Sequence, residues 1–67
     1  MDKITLAAAR VNAGLRIEDV ANIIDKSPST ISSWENYTSS PKILDAIKLC
    51  ELYKKPIYEI AWVKEDK

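Results

Sequence analysis

The chain has 67 residues, and its ten basic and ten acidic side chains cancel to a net charge of zero. This length allows one domain, spanning residues 1–67, and a composition of 46% hydrophobic and 30% charged residues is typical of a soluble globular protein. A neutral chain has no long-range positive field, so any binding of nucleic acid must use local charges. No apolar run approaches the ~18 residues of a membrane span, and the N-terminus lacks the order of a secretory signal. We therefore expect a cytoplasmic protein that does not bind membranes.

Cysteine and histidine usage argues against metal sites and catalysis. Cys50 is the only cysteine and histidine is absent, which excludes an internal disulfide and leaves no set of zinc ligands. Cys50 also lacks the base that usually activates a cysteine nucleophile, so we interpret it as a packing residue. A glycine-rich phosphate loop is missing as well. We expect no metal, no cofactor and no enzymatic activity.

The spacing of apolar residues predicts an all-α fold, because they recur at intervals of three and four rather than two. We expect a compact bundle of five helices, over about 3–13, 17–24, 28–36, 41–53 and 56–62. Asp2 is expected to cap the first helix, and Gly14 to follow its end in a left-handed conformation. The inward stripe of this helix is predicted to comprise Ile4, Ala7, Ala8 and Val11, widened by Leu6, Ala9 and Ala13.

The second helix is predicted to be short and to end at a tight connection. Val20, Ala21 and Ile24 share one of its faces, and the small side chain of Ala21 lets the next helix approach closely. Asp25 and Lys26 form the connection, where Asp25 tolerates a left-handed conformation. Two short helices joined by such a turn describe a helix-turn-helix unit.

The third helix has the clearest division between an inward and an outward face. Ser27 is expected to cap it, with Pro28 at its first position, where the missing amide has no intrahelical partner to lose. Ile31 and Trp34 lie three residues apart and are expected to anchor the helix in the core. The hydroxyls and amides of the other face can bond to base edges and phosphates.

The last two helices are predicted from proline positions and apolar spacing. Ser40 is expected to cap the fourth helix, with Pro41 at its first position. Its inward residues follow at helical spacing: Ile43, Ala46, Ile47, Cys50 and Tyr53. Pro56 interrupts this run and restarts it as the fifth helix.

Together these features resemble the lambda-type Cro and repressor family, whose recognition helix docks in the major groove. The resemblance covers roughly Leu6 to Ile60 and includes the stretch STISSWEN. It implies a lambda-repressor-like domain, acting as a phage or prophage Cro-like repressor in a bacterial host cell. Helix 28–36 is expected to bind double-stranded operator DNA, as part of a homodimer. The matching residues are Arg10, Gly14, Leu15, Val20, Ala21, Ile24, Ser27, Ser29, Thr30, Ile31, Ser32, Trp34, Glu35, Asn36 and Pro41.

The resemblance also implies a set of DNA-contacting residues on and around the third helix. Hydroxyl-bearing residues of that helix are expected to contact DNA bases. Three nearby basic side chains are expected to neutralise phosphates. The residues following the helix either end it or hold phosphates, and both interpretations remain open. The candidate DNA-binding residues are Arg16, Ile17, Lys26, Ser27, Pro28, Ser29, Thr30, Ser32, Ser33, Asn36, Tyr37, Thr38 and Lys42.

Several positions depart from the usual pattern of the family. Ile17 replaces a glutamine that usually grips the DNA backbone, and Pro28 and Ser33 stand where arginine or lysine is common. Lys26 occupies a position that is usually apolar. Arg10, by contrast, matches an arginine that pairs with the glutamate represented here by Glu35, so we expect it to be structural.

Some apolar residues near the C-terminus exceed what the core needs. We predict a surface for dimerisation or for a partner protein, formed by Leu44, Leu52, Tyr58, Trp62 and Val63. Trp62 can equally cover the core. Because the chain is neutral and its third helix lacks arginine and lysine, a second function stays open. The same fold could serve a modulator or antirepressor that binds a partner repressor, or an antitoxin.

Overall fold

The computed structural model describes residues 3–64, which form four α-helices, a 3-10 turn and two short strands. The strands pair in parallel, with Ile4 opposite Ile60 and Thr5 opposite Ala61. The predicted helical fold is confirmed, but the prediction of five α-helices is wrong. In chain order the elements are β1 (Ile4–Thr5), α1 (Leu6–Asn12), α2 (Ile17–Ile24), α3 (Pro28–Glu35), α4 (Ile43–Tyr53), the 3-10 turn (Ile57–Glu59) and β2 (Ile60–Ala61).

The segment predicted as a fifth helix forms the 3-10 turn and β2 instead. Pro56 is extended, with φ −69° and ψ 154°, and the turn after it lasts three residues. Ile60 is fully buried and its backbone pairs with β1. The strand pairing gives hydrogen-bond partners to backbone N–H and C=O groups of this segment. In a helix those groups would have bonded to one another.

The first helix begins at Leu6, three residues later than predicted. Thr5 is extended, and its Oγ1 accepts a hydrogen bond from the backbone N–H of Ala8 at 3.1 Å, so Thr5 is the N-cap. The predicted cap, Asp2, lies outside the described residues. At the other end Gly14 has φ +76°, which confirms the predicted left-handed residue.

Two predicted apolar stripes are rotated relative to the observed core. In α1 the buried residues are Leu6 and Ala9, whereas Val11 is 61% exposed. In α4 Ile43 and Ile47 are exposed, because the side facing the other helices contains Asp45, Ala46, Leu49 and Tyr53. Short helices with apolar residues on more than one side do not specify which stripe is buried.

The start of α4 also differs from the prediction. Lys42 occupies the N-cap position in an extended conformation, with φ −68° and ψ 161°, and makes no side-chain cap hydrogen bond. Ser40 therefore does not cap this helix, and Pro41 lies before it. Pro41 lines a surface cleft together with Trp62.

The core lies where α2, α3 and α4 meet α1 and the strand pair. The predicted inward residues of α2 and α3 are all buried, which confirms that part of the prediction. Half-buried Cys50 packs against the core as predicted, and burial raises the pKa of its thiol. Between residues 3 and 64 no helix has the length and apolarity needed to cross a bilayer. The largest fully buried side chains, each worth about 1.5–3 kcal/mol of stability, are Leu6, Val20, Ile31, Leu49 and Ile60.

Candidate nucleic-acid interface

The turn between α2 and α3 is formed by a left-handed residue and a helix-ending hydrogen bond. Asp25 has φ 61°, as its tolerance of this conformation led us to expect. The N–H of Lys26 donates to the carbonyl of Ala21 at 2.8 Å and closes the last turn of α2. After this turn the chain enters α3. The packing of α3 against α2 is the most extensive between any two of the described elements.

The anchoring side of α3 is formed by Ile31 and Trp34, which are 1% and 5% exposed. Both were predicted to point inward. Their burial fixes the rotation of α3 about its axis, so the residues between them lie on the sides that are not buried. The exposed part of α3 begins with Pro28 and Ser29 at its N-terminus.

Hydroxyl groups cluster at this N-terminus. Ser27 Oγ accepts a hydrogen bond from the backbone N–H of Thr30 at 3.2 Å and so caps α3, as predicted. The same oxygen lies 3.2 Å from Ser29 Oγ and 2.9 Å from Thr30 Oγ1, within hydrogen-bonding distance of both. Ser27 and Ser29 are exposed and Thr30 is half-buried. The start of α3 therefore presents three hydroxyl groups within one small area.

In the second half of α3, Ser32 and Ser33 accept hydrogen bonds from side chains that follow the helix. Asn36 Nδ2 donates to Ser32 Oγ at 3.3 Å, and Thr38 Oγ1 donates to the carbonyl of Ser33 at 3.2 Å. Ser32 and Ser33 are half-buried, while Asn36 and Thr38 are exposed. Asn36 and Thr38 thus help to end the helix, and both remain exposed.

Two predicted contact residues point elsewhere. The Tyr37 hydroxyl donates to the carbonyl of Ala61 at 3.1 Å, which ties the residue after α3 to β2. Ile17 is half-buried and packs against the core. Tyr37 is therefore a structural link between α3 and the C-terminal segment, and Ile17 is a residue of the core margin.

The three basic side chains that are candidates for phosphate binding differ in exposure and in ion pairing. The Arg16 side chain is 77% exposed and its Nε lies 3.6 Å from Asp19 Oδ2. Lys42 is exposed at the start of α4. Lys26 Nζ lies 3.4 Å from Asp45 Oδ2, with the lysine side chain 37% exposed. Arg16 and Lys42 are thus accessible, and Lys26 is engaged by an acid of α4.

A capping interaction orders the start of α2 beside Arg16. The backbone N–H of Arg16 donates to Asp19 Oδ2 at 2.9 Å, and this hydrogen bond lowers the pKa of the Asp19 carboxyl. The carboxylate thereby satisfies a backbone group at the N-terminus of α2. The position of Arg16 at the beginning of the helix-turn-helix follows from this bond.

Comparison with known proteins identifies the domain. A family model described as helix-turn-helix matches residues 6–60. The chain belongs to the lambda repressor and Cro-like helix-turn-helix family. It is a DNA-binding transcription regulator, and members of this family are regulatory proteins that are not usually enzymes. No match was found among curated proteins or among solved structures.

The ion pair predicted from the resemblance is present and joins α1 to the end of α3. Arg10 Nε and Nη2 donate to the two carboxylate oxygens of Glu35 at 2.7 and 3.3 Å, and Nη1 donates to the carbonyl of Leu15 at 3.0 Å. The hydrogen bond that Arg10 donates to Glu35 raises the pKa of Arg10, because it favours the charged guanidinium. Arg10 is thus a structural residue of this helix-turn-helix domain.

Sequence reasoning missed Asp45, the acid that engages Lys26. A signal was available, because Asp45 is spaced four and eight residues from Leu49 and Tyr53, both of which are buried. That spacing places the carboxyl group on the inward face of α4. A lysine at a usually apolar position, Lys26, was the complementary signal.

The residues predicted to form a dimer or partner surface are divided by the structure. Leu44, Tyr58 and Val63 are 69%, 72% and 68% exposed. Leu52 and Trp62 are half-buried and pack against the core, and Trp62 Nε1 donates to the carbonyl of Ile57 at 2.8 Å. Trp62 also lines an apolar surface cleft of about 350 Å³, whose other lining residues are Ser40, Pro41, Ile43, Ala46, Ile57 and Val63.

Proposed function

We propose that this chain is a Cro-like transcriptional repressor of phage or prophage origin that binds operator DNA as a homodimer. The observation that carries the proposal is the exposed, hydroxyl-bearing N-terminus of α3, which Ile31 and Trp34 hold from behind. In helix-turn-helix domains the N-terminal residues of the second helix contact base edges in the major groove. The proposal places α3 in that groove.

Base reading is assigned to the polar side of α3. A hydroxyl both donates and accepts, so Ser29, Thr30, Ser32 and Ser33 can each bond to more than one base, and Asn36 suits adenine. The helix offers no arginine or lysine for the bidentate contact with guanine. We therefore infer moderate discrimination per half-site, with total specificity dependent on two half-sites.

Phosphate binding is assigned to Arg16 and Lys42, whose side chains are exposed at the starts of α2 and α4. Each neutralised phosphate contributes about −0.9 to the slope of log Kobs against log salt concentration. Two such contacts predict a slope of about −2 for one domain and about −4 for a dimer. The slope therefore also reports the number of domains on the DNA.

The dimensions of the domain suit a dimer on adjacent major grooves. Its longest axis is 32 Å, and half-sites one helical turn apart are separated by about 34 Å. Two copies placed end to end along this axis have a spacing close to that separation. The exposed apolar residues Leu44, Tyr58 and Val63 are the proposed contacts between the copies.

The test of the DNA interface is a charge reversal that the folded domain tolerates. In Ser29→Glu the new carboxylate lies in the first turn of α3, where the helix dipole favours it, yet it repels DNA. The control for charge is Asn12→Glu, which adds the same charge at the exposed last residue of α1, beside the C-terminal end of α4. Duplexes come from the chain's own genomic neighbourhood and from a selected random library.

Fluorescence anisotropy over a salt series then decides between the outcomes. Selective binding by the wild-type chain and by Asn12→Glu, with loss of binding by Ser29→Glu, supports the proposal. Equal affinity of all three proteins for selected DNA would show that the start of α3 does not face the groove. Absence of selective binding by the wild-type chain would reject the operator-binding function.

A second candidate function, binding to a partner repressor, is supported by the apolar cleft between the start of α4 and the C-terminal segment. Ile43 and Val63 line this cleft and are 64% and 68% exposed. Exposed apolar surfaces of this kind mark protein contacts in soluble domains. Under this function the chain is a modulator or antirepressor, and it binds a neighbouring repressor without a DNA footprint of its own.

A further inference from the structure

Among the charged residues of the described range 3–64, Asp45 is the most buried, with an exposure of 7%. It lies in the first turn of α4, and Leu49 one turn further along the same face is 1% exposed. A carboxylate in such surroundings needs a partner, because an unpaired buried charge is strongly destabilising. Lys26 provides that partner at 3.4 Å.

The position of Lys26 gives this ion pair a second consequence. Lys26 immediately precedes Ser27, the cap of α3, and so lies at the edge of the proposed DNA-binding surface. A lysine there, next to the positive end of a helix dipole, is suited to a phosphate contact. Instead its Nζ lies 3.4 Å from Oδ2 of Asp45 in α4, with the lysine side chain 37% exposed, so its charge is paired within the domain.

We propose that Asp45 is an affinity-limiting residue, which withholds Lys26 from the DNA backbone. The inference rests on the proposed DNA-binding function and adds a regulation of affinity to it. A phosphate contact by Lys26 would strengthen binding to every duplex, whatever its sequence. By engaging Lys26, Asp45 lowers this sequence-independent part of the affinity and leaves more of the binding to the side chains of α3.

The first test is Asp45→Asn, which keeps the shape of the side chain and releases the lysine. We expect the slope of log Kobs against log salt to become more negative by about one per domain. Binding to scrambled duplex should tighten several-fold at low salt. The control is Glu51→Gln, which changes the net charge equally at an exposed position of α4 and should leave the slope unchanged.

The second test uses Lys26→Met combined with Asp45→Leu, because an apolar pair can replace an ion pair without leaving a buried charge. The wild-type slope is expected in this variant, since Lys26 makes no phosphate contact in the wild-type chain. A slope less negative by about one would overturn the proposal, because it would show that Lys26 already binds phosphate. Circular dichroism establishes that each variant is folded.

The outcomes separate this inference from the function on which it rests. If the wild-type chain binds no duplex, the DNA-binding function and the role of Asp45 both fail. If the wild-type chain binds DNA and folded Asp45→Asn has an unchanged salt slope, only the role of Asp45 fails. Should Asp45→Asn not fold, the double variant alone decides whether Lys26 contacts the backbone.

Discussion

The guanidinium group of Arg10 forms two hydrogen bonds with the carboxylate of Glu35 and thereby joins α1 to the end of α3. The Nε to Oε2 distance is 2.7 Å, and the two side chains are only 15% and 9% exposed. Because Glu35 is the last residue of α3, this ion pair fixes the C-terminal end of that helix against α1. The orientation of α3 thus depends on a charge pair as well as on buried Ile31 and Trp34.

Arg10→Met is predicted to lower the free energy of unfolding by about 3 kcal/mol, because it leaves the Glu35 carboxylate, whose side chain is 9% exposed, without a partner. Urea denaturation measures the change. The double variant Arg10→Met with Glu35→Met should regain most of the loss, since no unpaired charge remains. Arg16→Met is the matched control, and its exposed guanidinium should contribute almost nothing to stability. Equal effects of Arg10→Met and Arg16→Met would contradict the structural role of the Arg10 pair.

Tyr53 is predicted to make the folded state sensitive to alkaline pH. Burial and the nearby Glu35 carboxylate raise its pKa to about 12 from an unfolded value of about 10. Between these two values the unfolded chain has lost the phenolic proton while the folded chain retains it. Stability therefore falls as the pH rises from about 10 to about 12.

The measurement for Tyr53 is the urea midpoint as a function of pH in the wild-type chain and in Tyr53→Phe. The variant keeps the buried ring and loses the titrating group, so its midpoint should decline less across this range. Absorbance at alkaline pH should show that one tyrosine fewer titrates late in the variant. Identical pH profiles of the two proteins would refute the role of Tyr53.

The helix-turn-helix could be predicted from the sequence because strong local signals delimit it. Ser27 and Pro28 specify the start of α3, and the bounds of α2 were predicted to the residue. β1 and β2 were missed because each strand has only two residues and the paired residues are 56 positions apart in the chain. No local sequence pattern indicates such a pairing. Thr5 and Ile60 read equally well as helical residues until that pairing is known.

The candidate site was predictable in its central part and less so at its margins. The polar side of α3 follows from the burial of Ile31 and Trp34, which helical spacing indicates. The engagement of Tyr37 with Ala61 could not be inferred from local sequence, and that of Lys26 with Asp45 was indicated only by the helical spacing of Asp45 and by a lysine at a usually apolar position. Both contacts depend on where distant elements pack, so residues expected at the interface have partners within the domain.

Removing the glycine after α1 and introducing a glycine after α4 are predicted to change stability in opposite directions. Gly14 has φ +76°, and a side chain there would meet no atom within 4 Å, so Gly14→Ala incurs backbone strain alone. We expect a loss of about 1 kcal/mol. Lys54 ends α4 with φ 58°, so Lys54→Gly should raise stability by up to about 1 kcal/mol. Thermal and urea unfolding measure both changes, and destabilisation by Lys54→Gly would contradict the assigned end of α4.

The proposed dimer surface predicts that charge at its apolar residues prevents self-association without unfolding the domain. Leu44 and Val63 are 69% and 68% exposed, so lysine at both positions leaves the core intact. We expect the dimer dissociation constant to rise at least about tenfold, equivalent to about 1.4 kcal/mol, in sedimentation equilibrium. Val11→Lys is the matched control, because Val11 is 61% exposed on α1 and should have no effect. Dissociation by Val11→Lys, or an unchanged constant in the double lysine variant, would place the dimer contact elsewhere on the domain.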